Sequence, residues 1–162
     1  MKMTYQTGLA GEQAAAEWLR MKYRMQLVET RYRSKAGEID LIMLDQKTIV
    51  FIEVKTRLHA AAGTGLMAVD HRKQKRIARA ATLYLISKGW QNRPVRFDVV
   101  EVSENSVLHI PNAFQPGGMF YREGKDEQRK NVFQTVAHIA DFRSDAALVF
   151  PFLRSISRKP AR

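Results

Sequence analysis

The stretch GEIDLIMLDQKTIVFIEVKTR, from Gly37 to Arg57, is the most strand-like part of this sequence. Its two arms are rich in Ile, Leu, Val and Phe, and the Gln46-Lys47 pair between them predicts a two-residue turn. We therefore expect a β-hairpin with strands over Gly37–Asp45 and Thr48–Thr56. One face or both faces of such a hairpin should be buried against the rest of the domain.

This apolar hairpin carries Asp40 in one arm and Glu53 and Lys55 in the other. Because side chains alternate across a strand, Glu53 and Lys55 project from one face. A two-residue turn sets Asp40 opposite Glu53, and Glu38 opposite Lys55. Directly opposed Cβ atoms lie about 4.5–5.5 Å apart, so the paired carboxylates should repel one another unless something compensates.

A divalent cation is one compensation for two adjacent carboxylates. Hard cations such as Mg²⁺ prefer oxygen ligands, and one or two carboxylates with several waters are sufficient to bind them. Lys55 could then reach a metal-bound water or a substrate phosphate. Asp40, Glu53 and Lys55 together indicate metal-assisted hydrolysis of a phosphodiester.

A purely structural interpretation of the same three residues stays open. Lys55 could pair with Glu38 or Glu53, and Asp40 could lie on a solvent-facing edge, since antiparallel sheets often have one polar face. The pairing also depends on the turn. A slip of one residue would send Asp40 and Glu53 to opposite faces and remove the site.

Periodicity and turn residues predict the other elements around the hairpin. The order α-β-β-β-α-β-β indicates one α/β domain with a mixed sheet over residues 1–114. Residues 115–162 begin with Pro, Gly and many charges, which predicts a basic, partly flexible extension with a short helix. The remaining predicted elements are helices at Gly8–Met21, Val69–Lys88 and Asn131–Phe142, and strands at Gln26–Tyr32, Val95–Val102 and Ser106–Ile110.

Composition narrows the classes of partner and compartment. The formal net charge is +11, from 27 Lys and Arg against 16 Asp and Glu, which favours a polyanionic partner. The absence of cysteine excludes disulfides and thiolate metal sites. With no apolar signal region and no stretch of about 20 apolar residues, we expect a cytoplasmic protein with no membrane partner.

The second long helix has a cationic side. The segment HRKQKRIARA places basic residues at offsets of three, four and seven, opposite an apolar stripe that should pack on the sheet. Backbone phosphates of nucleic acid suit such a face, whereas a solvated basic face without a partner is the alternative. The predicted nucleic-acid contacts are Arg72, Lys75, Arg76 and Arg79, with Arg33 and Arg57 near the hairpin ends.

Several motifs together resemble a known family. GLAGEQAAAEWL, RYRSKAGEIDLI, FIEVKTR, AVDHRKQKRIARAATLYL and VRFDVV resemble the YraN-like family of small bacterial proteins. That family is similar in fold to Holliday-junction resolvases and to the PD-(D/E)xK restriction-endonuclease-like superfamily. The resemblance covers about Gly8 to Phe114, and it implies a restriction-endonuclease-like αβββαβ core with a mixed central sheet flanked by helices.

The resemblance also implies roles for individual residues. Asp40 and Glu53 match the two metal carboxylates of the superfamily, and Lys55 matches its catalytic lysine. Glu12 matches an acidic residue that resolvase-like members bring to the metal. Lys73 or Gln74 falls where many members place an auxiliary polar residue, and Gln74 is assigned to the catalytic set. For Glu12, the favourable position of an acid in the first turns of a helix is the structural alternative.

Three functions therefore compete. The first is a Mg²⁺- or Mn²⁺-dependent endonuclease that acts on structured or branched DNA, as the resolvase resemblance implies. The second is a non-catalytic nucleic-acid-binding protein on the same scaffold, and the third is an interaction module whose residues after Phe114 dock a partner. A homodimer is compatible with the first, because resolvases act on two strands.

The segment LHAAAGTGLMAV lacks the aromatic residue that family members carry before the glycine.

Overall fold

A computed structural model describes residues 2–57, 69–104 and 106–116 of the chain. These residues form two helices and five strands in the order that the sequence predicted. Along the chain, a helix is followed by three strands, a second helix and two further strands. The bounds are α1 Lys2–Tyr23, β1 Gln26–Ser34, β2 Gly37–Asp45, β3 Thr48–Arg57, α2 His71–Lys88, β4 Val95–Ser103 and β5 Val107–Ile110.

The five strands form one mixed sheet in the order β1-β2-β3-β4-β5. Neighbouring strands are antiparallel except β3 and β4, which are parallel. Parallel strands need a crossover connection, and α2 lies between β3 and β4 in the chain. The predicted α/β class is confirmed, and the arrangement is compatible with a restriction-endonuclease-like core.

The hairpin has the register that its turn predicted. Gln46 in the turn has a φ of 54°, and β2 pairs with β3 from Asp45↔Thr48 to Leu41↔Ile52. The ladder ends there, one position before the predicted Asp40–Glu53 pair, so neither that pair nor the predicted Glu38–Lys55 pair belongs to it. Glu38 is instead paired with Arg33 on β1, because the residues at the open end of β2 stay in the ladder with β1 only.

Each face of the sheet is covered by one helix. On one face, α1 packs small and aromatic residues, including Ala10, Ala15 and Trp18, against Leu41 and Val50 of the sheet. On the other face, the apolar stripe of α2 forms a second cluster with the strands. That cluster contains Ile77, Ala80, Ala81, Tyr84 and Leu85 of α2 and Ile39, Phe51 and Phe97 of the sheet.

Gly11 lets α1 approach β3 very closely. A Cβ atom at Gly11 would lie 1.9 Å from the Oγ1 atom of Thr56 and 3.0 Å from its Cβ atom. Gly8, one turn earlier, has no atom within 4 Å of the equivalent position. Of these two glycines, only Gly11 lies close to β3. This contact places the next residue, Glu12, at the end of the hairpin that carries Asp40.

Both ends of α2 are capped, and the sequence predicted the C-terminal cap. Asp70 is the N-cap and accepts a hydrogen bond of 2.7 Å from the Lys73 backbone N–H. Gly89 has a φ of 69° after the last residue, as predicted for a C-terminal stop. The helix begins at His71 rather than Val69, because the Asp70 cap fixes the first turn.

A buried polar network ties β4 to the segment after β5. The Asp98 side chain is inaccessible to solvent, and it accepts hydrogen bonds from Arg96 Nε at 2.9 Å and from the Asn112 backbone N–H at 2.8 Å. His109 Nε2 lies 2.8 Å from its Oδ2 atom. Arg96 also binds the half-buried Asp45 at 3.0 Å. The partners of Asp98 thus compensate for the burial of its charge.

Some predictions lie outside the described residues. These are the segment at 58–68, whose missing aromatic residue departs from the family pattern, and the predicted helix at Asn131–Phe142 within the 115–162 extension. Within the described ranges, neither helix combines the length and the apolar character needed to cross a membrane.

Candidate active site

Asp40 lies where the β2–β3 ladder ends. Its Oδ2 atom accepts a hydrogen bond of 2.8 Å from the Val54 backbone N–H, one position beyond Glu53 on β3. The Asp40 carboxylate is thereby anchored to the main chain of the strand that carries the second predicted acid. The pKa of Asp40 is raised from 3.8 to about 7, first by burial and then by the charge of Glu53, against the opposing effects of the Val54 N–H and Lys73.

Glu53 is a buried carboxylate held by two ammonium groups. Its side chain is 3% exposed, and its Oε1 atom lies 2.8 Å from Lys55 Nζ and 2.5 Å from Lys73 Nζ. Its Oε2 atom is buried and has no hydrogen-bond partner within the described part of the chain. The purely structural expectation that Lys55 pairs with Glu53 is therefore met, and the same contact places Lys55 beside the predicted metal carboxylate.

The chemistry of Asp40 and Glu53 fits a hard cation. Two carboxylates whose charges repel, one of them with an unpartnered buried oxygen, are suited to Mg²⁺, which binds through one or two carboxylates and keeps several waters. Across residues 2–57, 69–104 and 106–116, no group of three or more His, Cys, Asp or Glu side chains converges as a metal site. Within these ranges, the fit to a hard cation therefore rests on Asp40 and Glu53.

Glu12 lies near this pair but is engaged by Arg31. The Glu12 Oε2 atom is 3.7 Å from Arg31 Nε, and it is buried without a hydrogen bond inside the described ranges. Burial raises the pKa of Glu12 above its ordinary value; Arg31 opposes the shift, and Glu38 and Glu53 reinforce it. The charge of Glu53 thus reaches Glu12, while the role of Glu12 as a metal ligand stays a prediction.

The two candidates on α2 are placed differently. Lys73 contacts Glu53, whereas the Gln74 side-chain amide donates a hydrogen bond of 2.8 Å to the Val69 backbone oxygen. Gln74 therefore binds the backbone just before α2, and Lys73 is the α2 residue that contacts Glu53. The catalytic role assigned to Gln74 stays a prediction.

The cationic face of α2 is exposed as the helical spacing predicted. Its members Arg72, Lys75, Arg76 and Arg79 are all solvent-exposed, and the N-terminal end of this helix carries Lys73 into the Glu53 site. Arg33 is exposed and binds Glu38 at 3.2 Å, and Arg57 is half-buried. Gly37 contacts this helix, since a Cβ atom there would lie 3.3 Å from the Arg76 carbonyl oxygen.

Two contacts of the site escaped the sequence analysis. Arg31 adopts a φ of 53° and lies between Glu12 and Glu38, 3.6 Å from the latter. A non-glycine residue with positive φ gives no sequence signal when it is an arginine. The contact of Lys73 with Glu53 depends on the packing of α2 on the sheet, for which the sequence offered only two neighbouring candidates.

Replacing Asp40 by asparagine is expected to raise the free energy of unfolding at neutral pH by roughly 1–3 kcal/mol. With its pKa at about 7 instead of 3.8, folded Asp40 keeps a proton that the unfolded chain releases. The carboxyl therefore costs stability that grows as the pH rises from 3.8 to about 7 and then stays constant. Urea unfolding of both proteins at several pH values measures this difference.

Asparagine keeps an acceptor for the Val54 N–H, whereas the control Asp40→Ala removes it. The alanine variant should share little of the gain, because it leaves that N–H without its partner. An asparagine variant that is less stable than the wild type throughout this pH range would contradict the expectation.

Comparison with known proteins identifies the family. The model of the uncharacterised protein family UPF0102 matches residues 11–102. A UPF0102 protein of Pseudomonas putida (strain W619) is 48% identical over 114 residues, which are 67% of this chain and 92% of that protein. One of Symbiobacterium thermophilum is 52% identical over 101 residues, 62% of this chain and 84% of that protein. One of Geobacter sulfurreducens is 40% identical over 114 residues, 67% of this chain and 88% of that protein. The chain therefore belongs to the uncharacterised protein family UPF0102, the YraN-like group that its motifs resemble.

Proposed function

We propose that this protein is a metal-dependent nuclease that hydrolyses phosphodiester bonds in structured or branched DNA. The observation that carries the proposal is the arrangement at the end of the hairpin. Asp40 binds the main chain next to Glu53, and Lys55 lies 2.8 Å from the Glu53 carboxylate. Two acids and a lysine thus lie at one end of the hairpin, an arrangement suited to phosphodiester hydrolysis with a divalent cation.

Asp40 and Glu53 would hold Mg²⁺ or Mn²⁺, with Glu12 as the predicted third acid. When bound, the cation supplies a more acidic water and neutralises charge that develops on the phosphate. The buried position of Glu53 favours this use, since a water-excluding environment strengthens the attraction between a carboxylate and a cation.

Lys55 supplies the positive charge that the chain itself brings to the reaction. In the hydrolysis, a water oxygen bonds to phosphorus, the bond from phosphorus to one sugar oxygen breaks, and the water proton leaves to solvent while the sugar oxygen takes up a proton. The Lys55 ammonium would orient that water and stabilise the negative charge on the phosphate oxygens. Its contact with Glu53 fixes the ammonium beside the carboxylate.

The exposed cations of α2 would bind the DNA backbone. Arg72, Lys75, Arg76 and Arg79 share one helix with Lys73, which reaches the site, so a strand whose phosphates contact this helix would also pass Glu53. Such contacts neutralise phosphates without reading bases, so binding should weaken as salt rises. The preference for branched DNA comes from the resolvase resemblance, and a homodimer would match its two-strand cleavage.

The test compares metal-dependent cleavage of DNA by the wild type, Asp40→Ala and Lys55→Ala. Four-way junctions, flaps, single strands and linear duplexes are incubated with Mg²⁺, with Mn²⁺ or with EDTA. We expect the wild type to cleave at least one branched substrate only with metal, and each variant to lose at least about a hundredfold in rate. The losses follow from removing a metal carboxylate and a charge that acts on the phosphate.

Lys47→Ala is the matched control, because Lys47 is an exposed lysine at the other end of the same hairpin. It should cleave like the wild type. A non-catalytic nucleic-acid-binding protein is the second candidate, favoured by the neutralisation of Glu53 by two lysines. DNA binding that persists in the wild type and both site variants, with no metal-dependent cleavage by any of them, would support this alternative.

A further inference from the structure

Glu53 binds two ammonium groups through the same oxygen atom. Lys55 Nζ and Lys73 Nζ both contact Oε1, and Oε2 has no hydrogen-bond partner within the described residues. The Glu53 carboxylate thus contacts two positive charges, beside the second carboxylate of Asp40. A divalent cation that approached this carboxylate would meet both ammonium groups at short range, and like charges at such distances repel strongly in a partly buried site.

The two lysines differ in how readily they can leave. Lys55 lies two positions from Glu53 on the same face of a central strand, and its side chain is 24% exposed. Lys73 reaches the carboxylate from the first turn of α2, and its side chain is 38% exposed. Its backbone N–H is fixed by Asp70. The Lys73 side chain can therefore rotate into solvent while the helix stays in place.

We infer that Lys73 is the internal counter-ion of the metal-free site, which a divalent cation displaces from Glu53 when it binds. This inference rests on the proposed function, because it takes Glu53 as a metal ligand. Lys73 keeps the buried carboxylate neutralised when no metal is present, and in doing so it lowers the affinity of the site for the metal. It is a positioning residue that acts through Glu53, distinct from Lys55, which stays beside the carboxylate.

The test measures Mn²⁺ binding by titration calorimetry with the wild type, Lys73→Met, Lys73→Arg and Lys75→Met. Methionine keeps the apolar stem and removes the competing charge, so Lys73→Met should bind Mn²⁺ roughly 5- to 100-fold more tightly than the wild type. Lys73→Arg retains a cation and should stay close to the wild type. Lys75→Met removes the same charge from an exposed position on the same helix and should also stay close.

Thermal unfolding in EDTA gives a second readout and shows that each variant folds. Lys73→Met should unfold at a lower temperature than the wild type without metal, because the buried Glu53 has lost one partner, and it should gain more from added Mn²⁺. A merely structural contact would produce the first effect without the tighter binding.

The outcomes separate this inference from the proposed function. If the wild type binds Mn²⁺ and cleaves DNA while Lys73→Met binds no more tightly, the counter-ion role is wrong and the nuclease proposal stands. An equal gain for Lys75→Met would also overturn the inference, since it would show a general effect of charge. If neither the wild type nor Lys73→Met binds Mn²⁺, and the wild type does not cleave, both proposals fail.

Discussion

Replacing Asp98 by alanine is expected to lower the free energy of unfolding by about 3–5 kcal/mol, the range found when one partner of a buried ion pair is removed. The variant would leave the Arg96 guanidinium, the His109 ring and the Asn112 N–H without the carboxylate that now accepts from or contacts all three. The His109 ring in particular gains water poorly, because its side chain is 4% exposed and Asp98 itself is fully buried. Urea unfolding near neutral pH, followed by circular dichroism, measures the loss.

Asp45→Ala is the control for this prediction, because it removes the other acceptor of the same arginine. Asp45 binds Arg96 at 3.0 Å, but its side chain is half-buried and water can replace it. We expect a loss of at most about 1 kcal/mol. Equal losses for the two variants would show that burial of Asp98 does not decide its contribution.

Replacing Gly11 by alanine is expected to destabilise the fold by about 1–3 kcal/mol, as overpacking in a filled core does. The new Cβ atom would lie 1.9 Å from the Thr56 Oγ1 atom, so α1 must move away from β3 or Thr56 must rotate. Helix propensity acts in the opposite direction and should offset up to about 1 kcal/mol. The displacement would also move Glu12 relative to the hairpin, since it follows Gly11 on the same helix.

Gly8→Ala provides the matched control on α1. No atom lies within 4 Å of its added Cβ, so only the propensity gain of about 1 kcal/mol remains and the variant should be more stable. Adding Thr56→Ala to Gly11→Ala should recover part of the loss, because it removes the Oγ1 atom but keeps the Cβ atom at 3.0 Å. Thermal unfolding of the single and double variants gives the coupling between the two sites. Equal stabilities of Gly8→Ala and Gly11→Ala would refute the close approach.

The hairpin could be predicted closely because its information is local. The Gln46-Lys47 turn and the apolar arms fix the register, and the predicted strand Gly37–Asp45 has the same bounds in the structure. Helix α1 was less predictable, since it begins at Lys2 rather than Gly8. The segment KMTYQT has no apolar periodicity that distinguishes a helix from a frayed end.

The site could be predicted only as far as strand geometry reaches. The proximity of Asp40 and Glu53 follows from the hairpin, but the hydrogen bond of Asp40 to the Val54 N–H arises because the ladder ends at Leu41↔Ile52. Neighbouring helix positions differ by about 100° in direction. The choice between Lys73 and Gln74 therefore depended on the packing of α2, which the sequence does not specify.

The hydrogen bond between the Asp40 carboxylate and the main chain of β3 fixes Asp40 relative to the strand that carries Glu53. Their separation is set by a single short turn and a strand register, and not by the longer connections of the chain. Substitutions in α2 or beyond Phe114 would therefore change the binding surface while the spacing between Asp40 and Glu53 stays constant. Under the proposed function, such a division would let related proteins differ in what they bind without a change in the carboxylate pair.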